Sequence, residues 1–565
     1  MRLHLGLAAA AAGLTLAVGL TVSTAPAGAT TPSPNRDTAA KANVIGTGHA
    51  VARSVTVSQA RQRDRRLGLT GTHARPQGPL GRDGRLAGAA LAVRATLGAR
   101  MRPAGPSGIT GLNQGRSAWT KAANSRISAA RPVRVRRPDA VQPASVDPSD
   151  FTGLSESGSN GGGPTPDVTA AVSGNELAET VNLTLQVFSK STAATDCTVS
   201  LASLLGATTS LSHPRIQWDN ANNRFSLVVD SVPSSAFDVP IQYLAASQTS
   251  DACGAWWIYS LSFPISSTYP LGATLNYPYL GQDRTSILSS TNNYNSSGSY
   301  VGSSAYAIPK SAAYSGAGFS FTTYSVAFST APVTVAGIPV FATTTTYWLA
   351  SVPGTGYDLY SMPTNPAGAI TLRATIRAPF SAPSRRVNQP GTSVTLDPLD
   401  GRIQSAPVQD GNVVWFTHDI NYQGFPTVLY GGIDVNTDQI ETAVAFDSNT
   451  SDDFNPSIAV TDAGNNTNFI WVDWSYTDSG YGVPVSDTVA GVAPGQGVPD
   501  LAGADLTLVT GSSTSSISTF GSYSSAEVDS FAQGSCPAGE TALTAQEYFT
   551  GSGSWATQLA RTTFC

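Results

Sequence analysis

Two histidines, His213 and His418, are the only imidazoles after residue 160 that could serve as a general base. A Ser-His-Asp hydrolase needs such a base hydrogen-bonded to a nucleophile. Neither histidine lies in a nucleophile-elbow sequence, since Gly-x-Ser-x-Gly does not occur in the chain. His213 begins a strand-like segment and His418 ends one beside Asp419, so we expect both at strand ends with hydrogen bonds to loops. The sequence therefore assigns no catalytic residue.

Arginine, tyrosine and carboxylate residues could instead form the site of a sialidase-type glycosidase. Such an enzyme needs Arg side chains for a substrate carboxylate, a Tyr–Glu nucleophile pair and an Asp acid. It also carries Asp-box turns of the form Ser-x-Asp-x-Gly-x-Thr-Trp and an Arg-Ile-Pro sequence, and neither occurs here. The nearest match surrounds Asp478, where Tyr476 replaces the serine. These motifs do not predict sialidase activity.

Asp434, Asn436 and Asp438 lie at alternate positions, a spacing with which oxygen ligands can surround one Ca²⁺ ion. The glycine and the distal glutamate of an EF-hand are absent, and the segment falls where two strands must be joined. We therefore expect a tight turn, with adventitious calcium as the alternative, and we predict no metal or cofactor.

The elements that position these residues are short strands organised by a repeated phrase. Each copy has a Pro or Ser, an alternating apolar run and an Asp or Gly turn, and copies recur about every 60 residues. They begin at Pro166, Pro214, Pro278, Ala406, Pro456 and Tyr523, with a degenerate copy at Pro332. Further strand-like runs and Asn- or Asp-rich turns follow each copy, giving about four strands a repeat. The repeated pattern in residues 160–565 therefore predicts an all-β propeller of seven blades, or of six.

A propeller must join its two ends, or an edge strand stays exposed. The last copy, from Tyr523, offers only three strand-like runs. A fourth strand could come from the residues just before Pro166. Alternatively, a disulfide between Cys536 and Cys565 could fasten the last blade.

The cysteines point to an oxidising compartment, because all four follow residue 160 and none has Cys-x-x-Cys spacing. Four cysteines allow three pairings. Sequence order and repeat position favour Cys197 with Cys253 and Cys536 with Cys565.

The repeated phrases resemble those of secreted bacterial β-propellers related to the sialidase-like and BNR-repeat superfamily. The resemblance spans residues 160–565 in the order of that family. Its segments are Pro164-TPDVTAAVSGNELAETVN, His213-PRIQWDNANNRF, Tyr277-PYLGQDRTSILSSTNNYN, SAYAIPK ending at Lys310, Asp400-GRIQSAPVQDGNVVWFTHDI, Asp453-FNPSIAVTDAG, Tyr523-SSAEVDS and the closing SWATQLARTTFC. The resemblance implies the propeller fold. It implies little about activity, because a shared fold does not transfer a function.

The N-terminal part differs in composition from the rest. Residues 1–29 have the form of a secretion signal, with a basic start, an apolar run and small residues at the cleavage site. Residues 30–150 are basic and rich in Arg, Ala and Pro, although the whole chain carries a net charge of −5. We expect this segment to be disordered. It is either a propeptide cleaved after the run Arg134–Arg137 or a solvated spacer.

These features predict a secreted, monomeric protein without a nucleic-acid or membrane partner, since the folded part is acidic and no anchor follows the signal. The first hypothesis is a non-catalytic propeller that binds a polysaccharide or an extracellular protein, such as a protease that it modulates. The alternative is a carbohydrate-active hydrolase or lyase working in the propeller funnel, and a third hypothesis is a structural role in the cell envelope. Carboxylates clustered with Arg or Tyr at one end of the channel would favour the enzyme. A funnel lined by Ser, Thr and aliphatic residues would exclude it.

Overall fold

The computed structural model describes eleven ranges of the chain. They are residues 43–69, 145–146, 151–159, 165–335, 344–364, 368–446, 448–461, 468–501, 505–532, 536–551 and 553–565. The secretion signal expected at residues 1–29 lies outside them, as does most of the basic segment. None of the helices in these ranges is long and apolar enough to cross a membrane.

Strands prevail because the apolar runs alternate, are rich in β-branched and aromatic residues, and are broken by Gly, Asn and Asp. The described helices are α1 (Val57–Leu67), α2 (Leu201–Leu205) and α3 (Lys310–Ser315), with a 3-10 turn at Glu156–Gly158. The strands are β1 (Val44–Ala50), β2 (Ala52–Thr56), β3 (Ser145–Val146), β4 (Phe151–Ser155), β5 (Val168–Val172), β6 (Glu176–Val181), β7 (Thr184–Ser189), β8 (Thr195–Ser200), β9 (Ser210–Asp219), β10 (Arg224–Val232), β11 (Ile241–Ser247), β12 (Ala255–Ser262), β13 (Thr274–Gln282), β14 (Ser286–Tyr294), β15 (Tyr300–Pro309), β16 (Phe319–Val326), β17 (Ala331–Pro332), β18 (Thr334–Val335), β19 (Thr345–Val352), β20 (Gly356–Pro363), β21 (Thr371–Arg377), β22 (Val408–Asp410), β23 (Val413–Tyr422), β24 (Phe425–Asp434), β25 (Gln439–Ala445), β26 (Ser451–Val460), β27 (Ile470–Asp478), β28 (Val483–Val492), β29 (Asp505–Val509), β30 (Ser525–Asp529), β31 (Thr541–Phe549) and β32 (Trp555–Thr563).

Seven antiparallel strand groups follow one another along the chain. They are β5 to β8, β9 to β12, β13 to β16, β17 with β19 to β21, β22 to β25, β26 to β29, and β30 to β32. The inner strands meet in a closed circle: β5 contacts β9, β9 contacts β13, β13 contacts β17 and β18, β18 pairs with β22, β22 contacts β26, β26 contacts β30, and β30 contacts β5. This closed circle of small sheets confirms the predicted all-β propeller.

The degenerate copy at Pro332 is shared between two groups. Ala331–Pro332 pairs with β19 of the fourth group, whereas Thr334–Val335 pairs in parallel with β22 of the fifth group. The copy is irregular because it crosses from one sheet to the next within three residues. The remainder of this copy, residues 336–343, lies outside the described ranges.

The core lies between adjacent groups, where the faces of neighbouring sheets pack together. Trp415 and Tyr430 of the fifth group, for example, pack with Val472 and Trp474 of the sixth. Large flat side chains fill the wedge between two twisted sheets, which explains why most of the strand tryptophans are buried.

Aspartates at the ends of the inner strands do more than form turns. The Asp219 carboxylate accepts a hydrogen bond from the Asn222 backbone in its own turn and lies 2.6 Å from Lys310 Nζ in the next group. Asp283 likewise caps its own turn and accepts a hydrogen bond from the Thr346 hydroxyl of the following group. The repeated Asp of the phrase therefore ties each of these groups to its successor.

Residues 43–69 fall within the segment predicted to be disordered, but they fold onto the propeller. β1 pairs with β16 of the third group and meets β12 of the second, and β2 continues along β12. The second and third groups thereby join into one ten-stranded sheet. Composition predicted disorder because the segment has few large apolar residues. The backbone edges of two neighbouring groups instead supply its hydrogen bonds.

Helix α1 fastens this segment to the first group. Thr56 and Gln59 form a capping box at the start of the helix, and Gly68 ends it in the left-handed conformation. The Asp64 carboxylate, which is buried, accepts hydrogen bonds from the Ser200 backbone at 2.9 Å and the Ser200 hydroxyl at 2.5 Å. A buried contact this specific indicates an integral part of the fold.

Both devices considered for closing the ring are present. β4 pairs with β32 of the last group, and β3 pairs with the same strand, so the residues before Pro166 supply the fourth strand. Cys536 and Cys565 are also bridged, as are Cys197 and Cys253, which is the pairing expected from sequence order. The last group is thus held by backbone pairing and by a covalent bond.

Candidate functional site

Three copies of the repeated phrase carry a strained residue directly before their proline. His213, Tyr277 and Asn455 have φ of 54°, 56° and 57°, in the left-handed region that few non-glycine residues adopt. The strand register shifts at each of these positions, which marks a β-bulge. Bulges re-aim side chains, and strain of this kind often accompanies functional sites.

The bulges bring aromatic side chains from distant parts of the chain together. The His213 ring stacks on the Tyr277 ring with centroids 5.4 Å apart, and both rings meet the Tyr523 ring edge-on at 5.8 and 5.5 Å. His213 and Tyr277 are partly exposed, whereas Tyr523 is buried beneath them. The cluster therefore forms a surface-accessible mouth above a closed interior.

Two buried arginines lie against these rings. The guanidinium carbon of Arg215 is 3.3 Å from the centroid of Tyr523, and that of Arg402 is 3.9 Å from the centroid of Tyr277. Such cation–π contacts strengthen when water is excluded. The site therefore holds two cations on aromatic faces within the ring.

Hydrogen bonds fix the orientation of both guanidinium groups. Arg215 donates to the backbone carbonyls of Pro278 at 3.1 Å and Gln404 at 2.6 Å, so it spans three segments of the ring. Arg402 donates through Nε and Nη2 to the Asp400 carboxylate at 2.7 and 2.5 Å. This geometry leaves Nη1 of Arg402 as its free donor.

Asp167 stands at the mouth beside His213. Its carboxylate lies 3.7 Å from His213 Nε2 and accepts a hydrogen bond from the Ser522 backbone at 3.2 Å. Burial lowers the pKa of His213, and the charges of Arg215 and Arg402 lower it further, while Asp167 opposes them. His213 is therefore neutral near pH 7 and can donate or accept one proton.

Two further carboxyl groups lie deeper, joined through Asn455. The Asn455 backbone N–H donates to Asp419 Oδ2 at 3.2 Å, and its side-chain amide donates to Glu547 Oε1 at 2.9 Å. Burial raises the pKa of Asp419 and of Glu547 well above the usual range, and for Glu547 the nearby charge of Asp167 adds to the effect. Burial therefore favours the protonated form of both side chains.

Several atoms of this cluster are buried without a hydrogen-bond partner in the described part of the chain. They are His213 Nδ1, Arg402 Nη1, Asp419 Oδ1, Tyr523 Oη and Glu547 Oε2. Buried polar atoms almost always have partners, and a set of exceptions in one place calls for an explanation. These groups are available to a polar ligand, as are other unpaired buried atoms elsewhere in the described ranges.

A cavity of about 420 Å³ continues from Arg215 and Tyr279 along the inner strands. Small residues prevail in its wall, and it contains the carboxyl group of Glu527, which accepts hydrogen bonds from the Val172 and Trp218 backbones. Burial raises the pKa of Glu527 to about 8. The wall of this cavity thus combines one carboxyl group, Glu527, with Arg215 and Tyr279, and small or aliphatic residues line most of the rest. Asp167 and Glu547 are not among its lining residues.

The sequence placed the two histidines incorrectly relative to the sheets. His418 lies in the interior of β23, fully buried, with Nε2 2.8 Å from the Tyr357 hydroxyl and Nδ1 3.1 Å from the Asp419 carbonyl. The strand-like run after Asn412 continues past His418 to Tyr422, so the predicted strand end was too early. His213 does lie where the sheet is interrupted, but by a bulge rather than a strand end.

The segment considered for calcium is a turn between β24 and β25. Asp434 Oδ1 accepts hydrogen bonds from the Asn436 and Thr437 backbones, and Asp438 adopts a left-handed φ of 58°. The carboxylate that would bind the ion thus already caps the turn. No group of three or more His, Cys, Asp or Glu with metal-binding geometry occurs in the ranges that the structure covers.

Comparison with solved structures identifies other propellers at very low sequence identity. An α-L-arabinanase of Penicillium chrysogenum is 8% identical with a TM-score of 0.33, covering 77% of this chain and 99% of its own. The GH93 α-L-arabinofuranosidase of Fusarium graminearum is 9% identical with a TM-score of 0.33, over 73% and 98% of the two chains. A Trypanosoma rangeli sialidase mutant is 10% identical with a TM-score of 0.32, over 66% and 56%.

No protein-family model matches the sequence, and no curated protein matches it. The fold class rests on the strand order described above, and similarities at this level carry no argument about activity. Function must therefore be argued from the side chains at the mouth of the channel.

Sequence reasoning missed Arg215, Arg402 and Glu547 as site residues. The arginines looked scattered because three separate repeats contribute to one end of the channel. In three phrases His213, Tyr277 and Asn455 directly precede a proline, the position where the left-handed bulges occur.

Proposed function

We propose that this protein is a secreted carbohydrate-active enzyme that hydrolyses a glycosidic bond at the mouth formed by Asp167, His213 and Tyr277. One observation carries the proposal: Glu547, whose pKa is raised well above its usual range by burial, interacts electrostatically with a partly exposed carboxyl group, Asp167, beside the Arg and Tyr side chains of the cluster. Glycoside hydrolysis needs two carboxyl groups with different protonation states.

The roles follow from burial and charge. Glu547 would donate its proton to the glycosidic oxygen as the carbon–oxygen bond breaks. Asp167 would take the proton of the water that adds to the anomeric carbon, and its negative charge would stabilise the positive charge developing there. Tyr277 and His213 would present aromatic faces to the sugar ring at the entrance.

Secretion is proposed from the sequence signal and is supported by the two disulfides. Disulfides form and persist in oxidising compartments, where a polysaccharide substrate is also found. Detection of the processed protein in culture medium, and its absence from washed cells, would test the location.

The test is hydrolysis of a panel of polysaccharides and aryl glycosides by the full chain and by E547Q and D167N. We expect each substitution to lower kcat by at least about a hundredfold, because each removes a proton transfer. The matched control is E179Q, since Glu179 is another fully buried acid, with a pKa raised by burial to about 7, bound to Thr557 and Leu154 outside the site. Equal activity of E547Q and E179Q would refute the proposal.

A second candidate, the non-catalytic binding propeller, is favoured by a different observation. Glu547 is fully buried, and Arg215 and the Arg402 Nε and Nη2 groups already have internal partners, so the cluster is rigid. A rigid cluster that still holds unpaired polar atoms suits recognition without chemistry. Retention of a polysaccharide that is never cleaved, with retention lost in Y277A, would select this candidate over the hydrolase.

A further inference from the structure

The two carboxyl oxygens of Glu547 have different surroundings. Oε1 accepts the Asn455 amide hydrogen bond at 2.9 Å, and the backbone of Gly521 packs so closely that a Cβ there would collide with this oxygen. Oε2 is buried and has no partner among the described residues. One oxygen is therefore an obligate acceptor, and the other is the atom left to carry a proton.

Asn455 is itself held so that it cannot reverse its amide. Its side-chain nitrogen also lies 3.1 Å from Gln546 Oε1 and 3.4 Å from the Tyr523 carbonyl, and all three neighbours are acceptors. Gln546 Nε2 in turn donates to the backbone carbonyl of Asn455 at 2.9 Å. An Asn with its oxygen turned toward these groups would face two fixed acceptors, Gln546 Oε1 and the Tyr523 carbonyl, with no hydrogen.

We propose that Asn455 is a positioning residue that holds Oε1 of Glu547 as a hydrogen-bond acceptor and thereby keeps the transferable proton on Oε2. The inference rests on the hydrolase proposed above. It adds a role for the left-handed residue before Pro456, which explains why Asn occupies this bulge. The same residue binds Asp419 through its backbone N–H, so one bulge orders two acids.

Other charged groups that face Glu547 are Asp167, near the start of β5, and Asp473 on β27. Both are acidic and disfavour ionisation of Glu547, whereas the Asn455 amide favours it. Loss of that single donor should therefore make Glu547 a weaker acid. We expect the pKa of Glu547 to rise by about one unit, since one hydrogen bond is worth about 1 kcal/mol.

The test compares N455G with N223G in the full chain. Glycine accepts the left-handed conformation, and Asn223, with φ of 52° in the β9–β10 turn, is a matched position away from the site. The protonated Glu547 carbonyl absorption, assigned by its loss in E547Q, would be followed by infrared difference spectroscopy against pH. The pH dependence of kcat would be measured in parallel.

We expect the Glu547 midpoint and the basic limb of the kcat profile to rise in N455G and to stay unchanged in N223G. An unchanged midpoint in N455G, even with a lower melting temperature, would overturn the positioning role. If no substrate is cleaved but the infrared midpoint still shifts, the positioning role stands and the hydrolase proposal fails.

Discussion

The Lys190 ammonium lies 2.7 Å from the carboxylate of Asp529, which follows it by 339 residues. Lys190 belongs to the first strand group and Asp529 ends the inner strand of the last. A similar contact joins Asp219 of the second group to Lys310 of the third. The Lys190–Asp529 pair makes the same kind of contact where the last group meets the first. Both partners are almost completely buried, so the ion pair joins the first and last strand groups within the fold.

Breaking this pair should destabilise the propeller strongly. K190M leaves Asp529 buried without its cation, a change that typically costs about 3–5 kcal/mol in the free energy of unfolding. R373M breaks the exposed pair between Arg373 and Asp438 and should cost less than about 1 kcal/mol. Urea unfolding of both variants checks the difference. Equal losses would show that the Lys190 pair does not close the ring.

The N-terminal segment should remain bound after proteolysis. Cleavage after Arg134–Arg137, the site expected for a propeptide, would leave residues 43–69 held by β1, β2 and the buried Asp64 contacts. The fragment should coelute with the propeller in gel filtration and separate only in denaturant. D64A should release it at lower denaturant concentration. Separate elution of the wild-type fragment without denaturant would contradict this.

Stability should fall as the pH rises from about 6.5 to 8.5. Burial raises the pKa of Glu179 and Asp230 to about 7 and that of Glu527 to about 8. The native state therefore binds more protons than the unfolded state between the unfolded pKa, about 4, and the folded pKa. The stability that these acids contribute is lost progressively over that span, still falls through pH 7 to 8, and levels off above it. His418, with its pKa lowered by burial to about 4, acts only below this window.

Thermal unfolding across this pH range would measure the effect. E527Q removes one titrating group without changing its size, so the melting temperature should depend less steeply on pH than in the wild type. An identical slope in E527Q would show that Glu527 does not titrate in this range.

Replacement of His213 by asparagine should separate stability from function. Asparagine tolerates a φ of 54° better than histidine, so relief of strain should raise the free energy of unfolding by about 1 kcal/mol. The same change removes the ring stacked on Tyr277 and the contact with Asp167, so substrate turnover or binding should fall. H418N, at a buried site in a regular strand, should instead destabilise the protein. Destabilisation by H213N would refute the prediction that the left-handed backbone at residue 213 is strained by histidine.

Much of the fold could be predicted because its signals are local. Alternating runs and Asn-rich turns predicted the strands around Asp410, and β22 to β25 follow them closely. Segments with weak local signals were harder. Residues 43–69 are ordered only because two sheet edges lie in reach, and no composition reveals a neighbouring edge.

The candidate site could not be predicted in the same way, because its members are scattered along the chain. Arg215 stacks on Tyr523 and Arg402 on Tyr277, contacts that join residues more than a hundred positions apart. The sequence also suggested that the acids of the phrase serve only turns. The structure shows that Asp219 and Asp283 additionally bind the following group.

The sequence by itself determined that this protein is a ring of small antiparallel sheets, since strand alternation and turn residues act between neighbours in the chain. Only the tertiary structure decided which side chains meet at the mouth of the channel. Bulges at His213, Tyr277 and Asn455 bring side chains from separate repeats together, and burial favours the uncharged form of His213 and Glu547. Both depend on how the circle closes, which is a property of all the repeats together.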